Sequence, residues 1–129
     1  MVITGGGSGI GAFLTEGFLA QGAQVAFVQR SDSSAFCDEM EAKHGNRPLF
    51  IQCDITDIQA LKAAIAQSAE AHGDIDVLVN NAANDKRHEA GEVDEEFYDW
   101  MMAINLKAYF FACQAFSGGK KAKGCTLNT

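Results

Sequence analysis

Val2-Ile3-Thr4-Gly5-Gly6-Gly7-Ser8-Gly9-Ile10-Gly11-Ala12 opens the chain and decides how the rest is read. Two β-branched residues lead into a glycine cluster. Ile10, Leu14, Gly17 and Phe18 then recur at helical spacing, and Gly22 supplies a C-terminal stop. A strand that turns through glycines into a helix is built to receive an anion. The unpaired N–H groups of the first helical turn and the positive end of the dipole face an approaching phosphate. A Cβ inside such a turn would stand in the phosphate's way. Taken alone, Gly7-x-Gly9-x-x-Ala12 is a weak mark, because a flexible glycine-rich turn is spelled much the same way. The units downstream carry the decision.

Those units alternate. Gln24 to Val28 is a short apolar run that predicts a second strand, and Ser31 to Ser34 offer caps for a helix reaching His44 and closed by Gly45. Pro48 to Cys53 predicts a third strand. Thr56-Asp57-Ile58-Gln59 is spelled like a capping box, with Ile58, Leu61 and Ile65 on one helical face and Gly73 as the stop. Asp76 to Asn80 predicts a fourth strand. Asp94 can cap a long helix from Glu95 to Phe116, with Phe97, Met101, Ile104, Ala108 and Phe111 as its buried stripe. Gly118 to Gly124 predicts a loop, and Cys125 to Asn128 the start of a fifth strand. Strands separated by helices at this spacing imply an α/β fold, a parallel sheet with helices on both faces.

Length and charge set the class. The chain has 129 residues, 10 Lys+Arg against 17 Asp+Glu, a net charge of −7 and 47% hydrophobic residues. One domain over residues 1–129 with a packed core fits those figures. An acidic surface disfavours nucleic acid or an anionic membrane as the main partner. No apolar run approaches the length of about 20 residues that spans a bilayer. Cys37, Cys53, Cys113 and Cys125 show no metal-ligand spacing, so no metal site is expected. They read as reduced thiols of a soluble cytoplasmic protein. The six acids between Glu89 and Asp99 read as a solvated helix start complementing the dipole.

Four marks follow one another in order: Thr4-Gly5-x-x-x-Gly9-x-Gly11, Asp54 at the end of the third strand, Asn80-Asn81-Ala82-Ala83 at the end of the fourth, and Asn105 in the long helix. Each has a plainer role when taken singly. Asp54 could be a loop cap, the two asparagines could be turn chemistry, and Asn105 could be a polar residue satisfied within helices. Together they resemble the short-chain dehydrogenase/reductases, with NNAA standing in place of the more usual NNAG. The resemblance implies a Rossmann-type doubly wound sheet of strand order 3-2-1-4, cut off after the start of the fifth strand. It implies a small-molecule substrate, NAD(P) as cofactor and homo-oligomeric full-length relatives. By the same resemblance Gly5, Ser8, Gly9, Ile10 and Gly11 would hold the pyrophosphate. Asp54 and Ile55 would meet the adenine, Asn81 and Ala82 would lie along the cofactor ribose, and Asn80 would brace the sheet. Asn105 would be catalytic, holding a water in the proton relay.

The end of the second strand bears on cofactor choice. An acid there binds the ribose hydroxyls of NAD, whereas Arg or small donors suit the 2′-phosphate of NADP. This chain has Gln29-Arg30-Ser31, with no carboxylate and with an Arg able to pair a phosphate bidentately. NADP is therefore favoured over NAD, with Arg30 and Ser31 at the phosphate and Asp32 as a helix cap.

The stretch Asn81 to His88, with Trp100 and Asn105, resembles the bacterial sugar 1-dehydrogenases, which oxidise an aldopyranose to a lactone. His88 is expected at a loop or substrate rim, since in this family a Tyr handles the proton. That Tyr belongs to a YxxxK pair preceded by a Ser. Tyr98 and Tyr109 are the only tyrosines, and positions 102 and 113 are Met and Cys. Two readings follow: the N-terminal half of an oxidoreductase, or a dinucleotide-binding domain without turnover.

Overall fold

The computed structural model describes residues 1–118 and 124–129. Five strands form one wholly parallel sheet: β1 (Val2–Thr4), β2 (Ala26–Gln29), β3 (Leu49–Gln52), β4 (Val77–Asn80) and β5 (Cys125–Asn128), in the order β3-β2-β1-β4-β5. The crossovers are α1 (Gly9–Ala20), α2 (Ser34–His44) and α3 (Ile58–His72). From β4 the chain passes through a short 3₁₀ turn at Ala90–Glu92 into α4 (Glu95–Met102), a π-helical turn at Ala103–Lys107 and α5 (Ala108–Gly118). This is the α/β, Rossmann-type architecture expected from the alternation.

The central strands are apolar because both of their faces are covered. On one face, Ile3, Val25, Phe27 and Val79 pack with Leu19 of α1 and with Cys37 and Met40 of α2. Phe27 is fully buried, stacked on Phe50 at 5.4 Å and edge-on to Phe36 at 5.9 Å. On the other face, Val2, Ala26, Val28 and Leu78 meet Leu61, Ala64 and Ile65 of α3 and Ala108 and Ala112 of α5. Across the outside of the first layer, Glu16 of α1 pairs with Lys43 and His44 at the end of α2. β5 is exposed along its whole length, including Leu127.

Several sequence expectations are corrected. The second strand begins at Ala26, not Gln24, and the third and fourth each lose their flanking polar or proline residue. The cap of α3 is Asp57, whose carboxylate accepts from the N–H groups of Gln59 and Ala60. Thr56 is not the cap, because its hydroxyl and N–H are spent on Asp54. The single long helix is three segments, and the π turn inserts one residue into the 3.6-residue period. The buried stripe therefore slips: Ala108 and Ala112 are buried, whereas Phe97, Met101, Ile104 and Phe111 are only partly covered. Residues 119–123 of the expected Gly118 to Gly124 loop lie outside the described residues.

Candidate cofactor cleft

The glycine turn leaves β1 at Thr4 and is tied down on three sides. Thr15 of α1, fully buried, donates from its hydroxyl to the Gly6 carbonyl at 2.7 Å. Gln29, at the end of β2, accepts the Gly7 N–H at 2.8 Å and donates to the Ser31 hydroxyl at 3.1 Å. Thr4 carries the link to β4: its buried hydroxyl accepts the N–H groups of Asn81 at 2.9 Å and Ala82 at 3.0 Å. Asn81 returns the link through its side-chain amide, donating to the carbonyls of Thr4 and Gly5. From the sequence, Thr4 is only the first letter of the glycine motif and Gln29 only the non-acidic position at the end of β2; their roles as a clasp to β4 and a prop for Gly7 come from contacts across the chain.

Two glycines do different work. Gly9 sits at φ +52°, a left-handed conformation that L side chains rarely adopt, and a Cβ placed there would meet no protein atom within 4 Å. Gly11 is buried behind the turn, where a Cβ would overlap the Gly5 carbonyl. Gly11 thus lets helix and strand approach, while Gly9 fronts open space. Ser8 is the N-cap residue of α1, and its side chain makes no capping bond. The N–H groups that follow it have no intrahelical acceptor and point out of the turn.

In front of this turn runs a cleft of about 700 Å³, across the carboxyl ends of β3, β2, β1 and β4. The order reverses there, since β2 and β3 lie on one side of β1 and β4 on the other, which is where open α/β sheets bind ligands. Gly5, Ser8, Gly9 and Ile10 form its middle. Arg30, Ser31, Asp54 and Ile55 line the β2–β3 end, and Asn81, Ala82, Asp85, Trp100 and Ile104 the β4 end. Of the residues expected at the cofactor, only Gly11 stands outside the cleft. A smaller groove of about 260 Å³ between α3 and α5 is lined mostly by Ala, Ile and Phe.

Charge within the cleft is organised. Asp54 accepts the N–H and hydroxyl of Thr56 at 2.9 and 2.8 Å, and these bonds, with a smaller contribution from Arg30, hold its carboxyl below the ordinary range. The loop-cap role and the cleft position are thus both true of Asp54. Cys53 also lines this end, its thiol pushed up to about 11 by burial and by the charges of Asp54 and Asp57. Asp32 caps the approach to α2, accepting the N–H and hydroxyl of Ser34.

At the β4 end, Asn80 is fully buried, and its amide donates to the Asn128 side chain at 3.0 Å and to Cys113 Sγ at 3.4 Å. It braces β4 against β5 and α5. Asn105 lies in the π turn, and both ends of its side-chain amide meet the backbone of one residue. Its Oδ1 accepts the Asn84 N–H at 2.9 Å and its Nδ2 donates to the Asn84 carbonyl at 3.0 Å. Asn105 therefore fixes the loop after β4. His88 does not line the cleft; its ring lies tilted against Phe97 with ring centres 4.0 Å apart. Among the described residues no cluster of metal-ligating side chains occurs, and no helix is long and apolar enough to cross a membrane.

A family model described as short chain dehydrogenase matches residues 1–128. The chain belongs to the short-chain dehydrogenase family. Its relatives include a probable galactose dehydrogenase of Rhizobium meliloti, 43% identical over 126 residues that cover 96% of this chain and 49% of the relative. D-xylose 1-dehydrogenase of Caulobacter vibrioides is 43% identical over 125 residues, with the same coverage of 96% and 49%. Among solved structures, a short chain dehydrogenase of Burkholderia cenocepacia in complex with NADP superposes with TM-score 0.90 at 30% identity, over 98% of this chain and 53% of that one. A blue fluorescent protein from a metagenomic library, in complex with NADPH, gives TM-score 0.88 at 37% identity over 98% and 54%. The chain spans about half the length of the family members it matches.

Proposed function

We propose that these 129 residues form the dinucleotide-holding half of an NAD(P)-dependent oxidoreductase. Its reaction would move a hydride between a sugar hemiacetal or secondary alcohol and the matching lactone or carbonyl. The observation that carries this reading is the open space over Gly9, at an uncapped helix N-terminus, in the middle of a cleft that crosses the sheet's switch point. A Cβ at Gly9 would project into that space, and no protein atom occupies it.

The lining fits a dinucleotide in one direction. The N–H groups after Ser8 would take the pyrophosphate, with the helix dipole favouring its charge. Arg30, Ser31, Asp54 and Ile55 would take the adenosine, and Asn81 and Ala82 would flank the nicotinamide ribose. When bound, the nicotinamide supplies the hydride donor or acceptor. Position 29, at the end of β2, is Gln in place of an acid, and its amide is turned inward to Gly7 and Ser31, so it offers no carboxylate to the ribose hydroxyls. Arg30, exposed and free to meet a 2′-phosphate, supports NADP over NAD. The NADPH and NADP complexes of the structural neighbours agree with that preference.

Asn105 contributes by position, holding Asn84 and hence the wall of the cleft beyond β4. Tyr109 is no substitute for a proton shuttle, because burial pushes its hydroxyl above the ordinary phenol range. The 129 residues thus bind and orient, and the proton step needs groups they do not contain. A cytoplasmic setting suits the free cysteines. Exposed Leu106 and Phe110, on the π turn and α5, suit contact between subunits. The test is titration calorimetry with NADP and NAD. Saturable heat, tighter for NADP and abolished by Gly9→Val with helix content unchanged, is the expected result. Unchanged affinity in that variant would remove the glycine turn from the site.

A further inference from the structure

Gln29 stands between the glycine turn and the β2–β3 end of the cleft, and its amide bonds to both. Its Oε1 accepts the Gly7 N–H at 2.8 Å, and its Nε2 donates to Ser31 Oγ at 3.1 Å. The backbone partner fixes which way the amide faces. A backbone N–H only donates, so the end at Gly7 is the oxygen and the NH2 is left for Ser31. The same logic passes on to Ser31. A hydroxyl has one proton to give and two lone pairs to offer, and Gln29 takes a lone pair. The proton therefore turns away from Gln29. Among the described residues the Ser31 hydroxyl donates to none, and Ser31 is exposed on the cleft wall. The loop around it is held separately. Gln52, opposite Gln29 on β3, donates from its side chain to the Arg30 carbonyl at 2.9 Å, and the buried Ser33 donates to the Ser31 carbonyl at 3.4 Å. Asp32, the carboxylate next to Ser31, takes the N–H and hydroxyl of Ser34 instead.

We propose that Gln29 is a positioning residue that sets cofactor choice through Ser31: its amide turns the Ser31 hydroxyl into a donor facing the cleft, where the 2′-phosphate of NADP is an acceptor. The proposal rests on the reading of the cleft as a dinucleotide site and deepens it. Position 29 acts here without touching the cofactor. The oxygens of a phosphate near neutral pH are chiefly acceptors, so an outward donor suits them and an outward lone pair repels them. The ribose hydroxyl of NAD can give or take a proton and is indifferent to the way Ser31 faces. That asymmetry turns the polarity of one hydroxyl into selectivity. A carboxylate at position 29 would reverse it. One oxygen would still accept the Gly7 N–H, while the other would accept the Ser31 hydroxyl and draw its proton inward, leaving only lone pairs towards the cleft.

The test is a double-mutant cycle between positions 29 and 31, read by calorimetry with NADP and NAD on the 129-residue chain. Ser31→Ala alone should weaken NADP about tenfold, the loss of one charge-assisted bond at an exposed site, and NAD by less than about twofold. Gln29→Glu should weaken NADP at least as much, and in that background Ser31→Ala should cost NADP nothing further. Charge repulsion alone cannot give that result, because a repelling carboxylate that left the hydroxyl outward would leave the Ser31→Ala loss intact. Gln29→Met is neutral and keeps the cycle readable where the added charge abolishes binding. It frees the hydroxyl among about three rotamers, so NADP should weaken about threefold with NAD unchanged, and Ser31→Ala should then cost a further threefold or so. Amide exchange at Gly7 supplies a readout without cofactor: protection should persist in Gln29→Glu, which keeps the acceptor, and fall in Gln29→Met. Circular dichroism checks that each variant is folded. A Ser31→Ala loss of undiminished size in both Gln29 backgrounds, or equal Ser31→Ala losses for NADP and NAD, would overturn the proposal while leaving the dinucleotide cleft. Absence of NADP heat in the unaltered chain would remove the cleft assignment and the proposal with it.

Discussion

Thr4→Val is the substitution that most sharply tests how the cleft is held together. The Thr4 hydroxyl accepts the N–H groups of Asn81 and Ala82 at 2.9 and 3.0 Å, joining the end of β1 to the chain leaving β4. Valine has nearly the same shape but offers no acceptor, so both donors lose their partner in a part-buried place. Each unsatisfied donor costs about 1–3 kcal/mol, and partial exposure of Asn81 and Ala82 recovers some of that. The expected loss is about 2–4 kcal/mol, a large share of the roughly 5–15 kcal/mol that stabilises a domain. Thr4→Ser keeps the acceptor and should lose about 1 kcal/mol, mainly from the missing methyl group. Urea unfolding followed by circular dichroism gives both values, and hydrogen exchange at Asn81 and Ala82 should quicken only in the Val variant. A Thr4→Val protein as stable as Thr4→Ser, with both amides still protected, would refute the hydroxyl's role as the clasp.

Four further outcomes are expected. Arg30→Ala should weaken NADP more than NAD by about 1–3 kcal/mol in calorimetry, and equal losses would make Arg30 a solvated surface residue. Asn105→Ala should leave the fold intact and speed exchange of the Asn84 amide; if that amide stays protected, another group holds the loop. Because the Asp54 carboxyl is held below its ordinary value in the folded state, it adds stability above the ordinary aspartate range, which is lost as pH falls through the lower folded value. Asp54→Asn should flatten that acid limb of the stability–pH curve, and an unchanged limb would show that the Thr56 contacts do not favour the charged form. Finally, the 129-residue chain assayed with NADP and NAD on D-xylose and D-galactose should show binding without enzymic turnover. Activity that survives repurification would require a proton shuttle not identified among these residues.

The parts legible in the sequence are those that local chemistry dictates. The glycine turn, the apolar runs of β2 to β4 and the Gly45 and Gly73 stops place the elements and the turn at the cleft, because each follows from backbone freedom or from burial on two faces, whereas the strand order came with the family resemblance. What escaped the sequence depends on contacts across the chain. The inward turn of Gln29 needs Gly7 and Ser31 beside it, 22 residues away in one case. The π turn at Ala103–Lys107, which carries Asn105 to the Asn84 backbone, displaced the expected stripe by one residue. Asp57 and not Thr56 caps α3 because Asp54 and Asp57 are each better acceptors and divide the local donors between them. At Gly11 the space a Cβ would fill is taken by the Gly5 carbonyl, a close backbone approach that a motif glycine permits but does not spell out.

The central claim, that a dinucleotide lies across the strand ends over Gly9, is tested most directly by mapping amide shifts of the labelled chain as NADP is added. The account predicts the largest shifts at Ser8, Gly9 and Ile10, with Arg30, Ser31 and Ile55 on one side and Asn81 and Ala82 on the other. Shifts confined to the α3–α5 groove around Ile65 and Phe116, or none at saturating NADP, would contradict it.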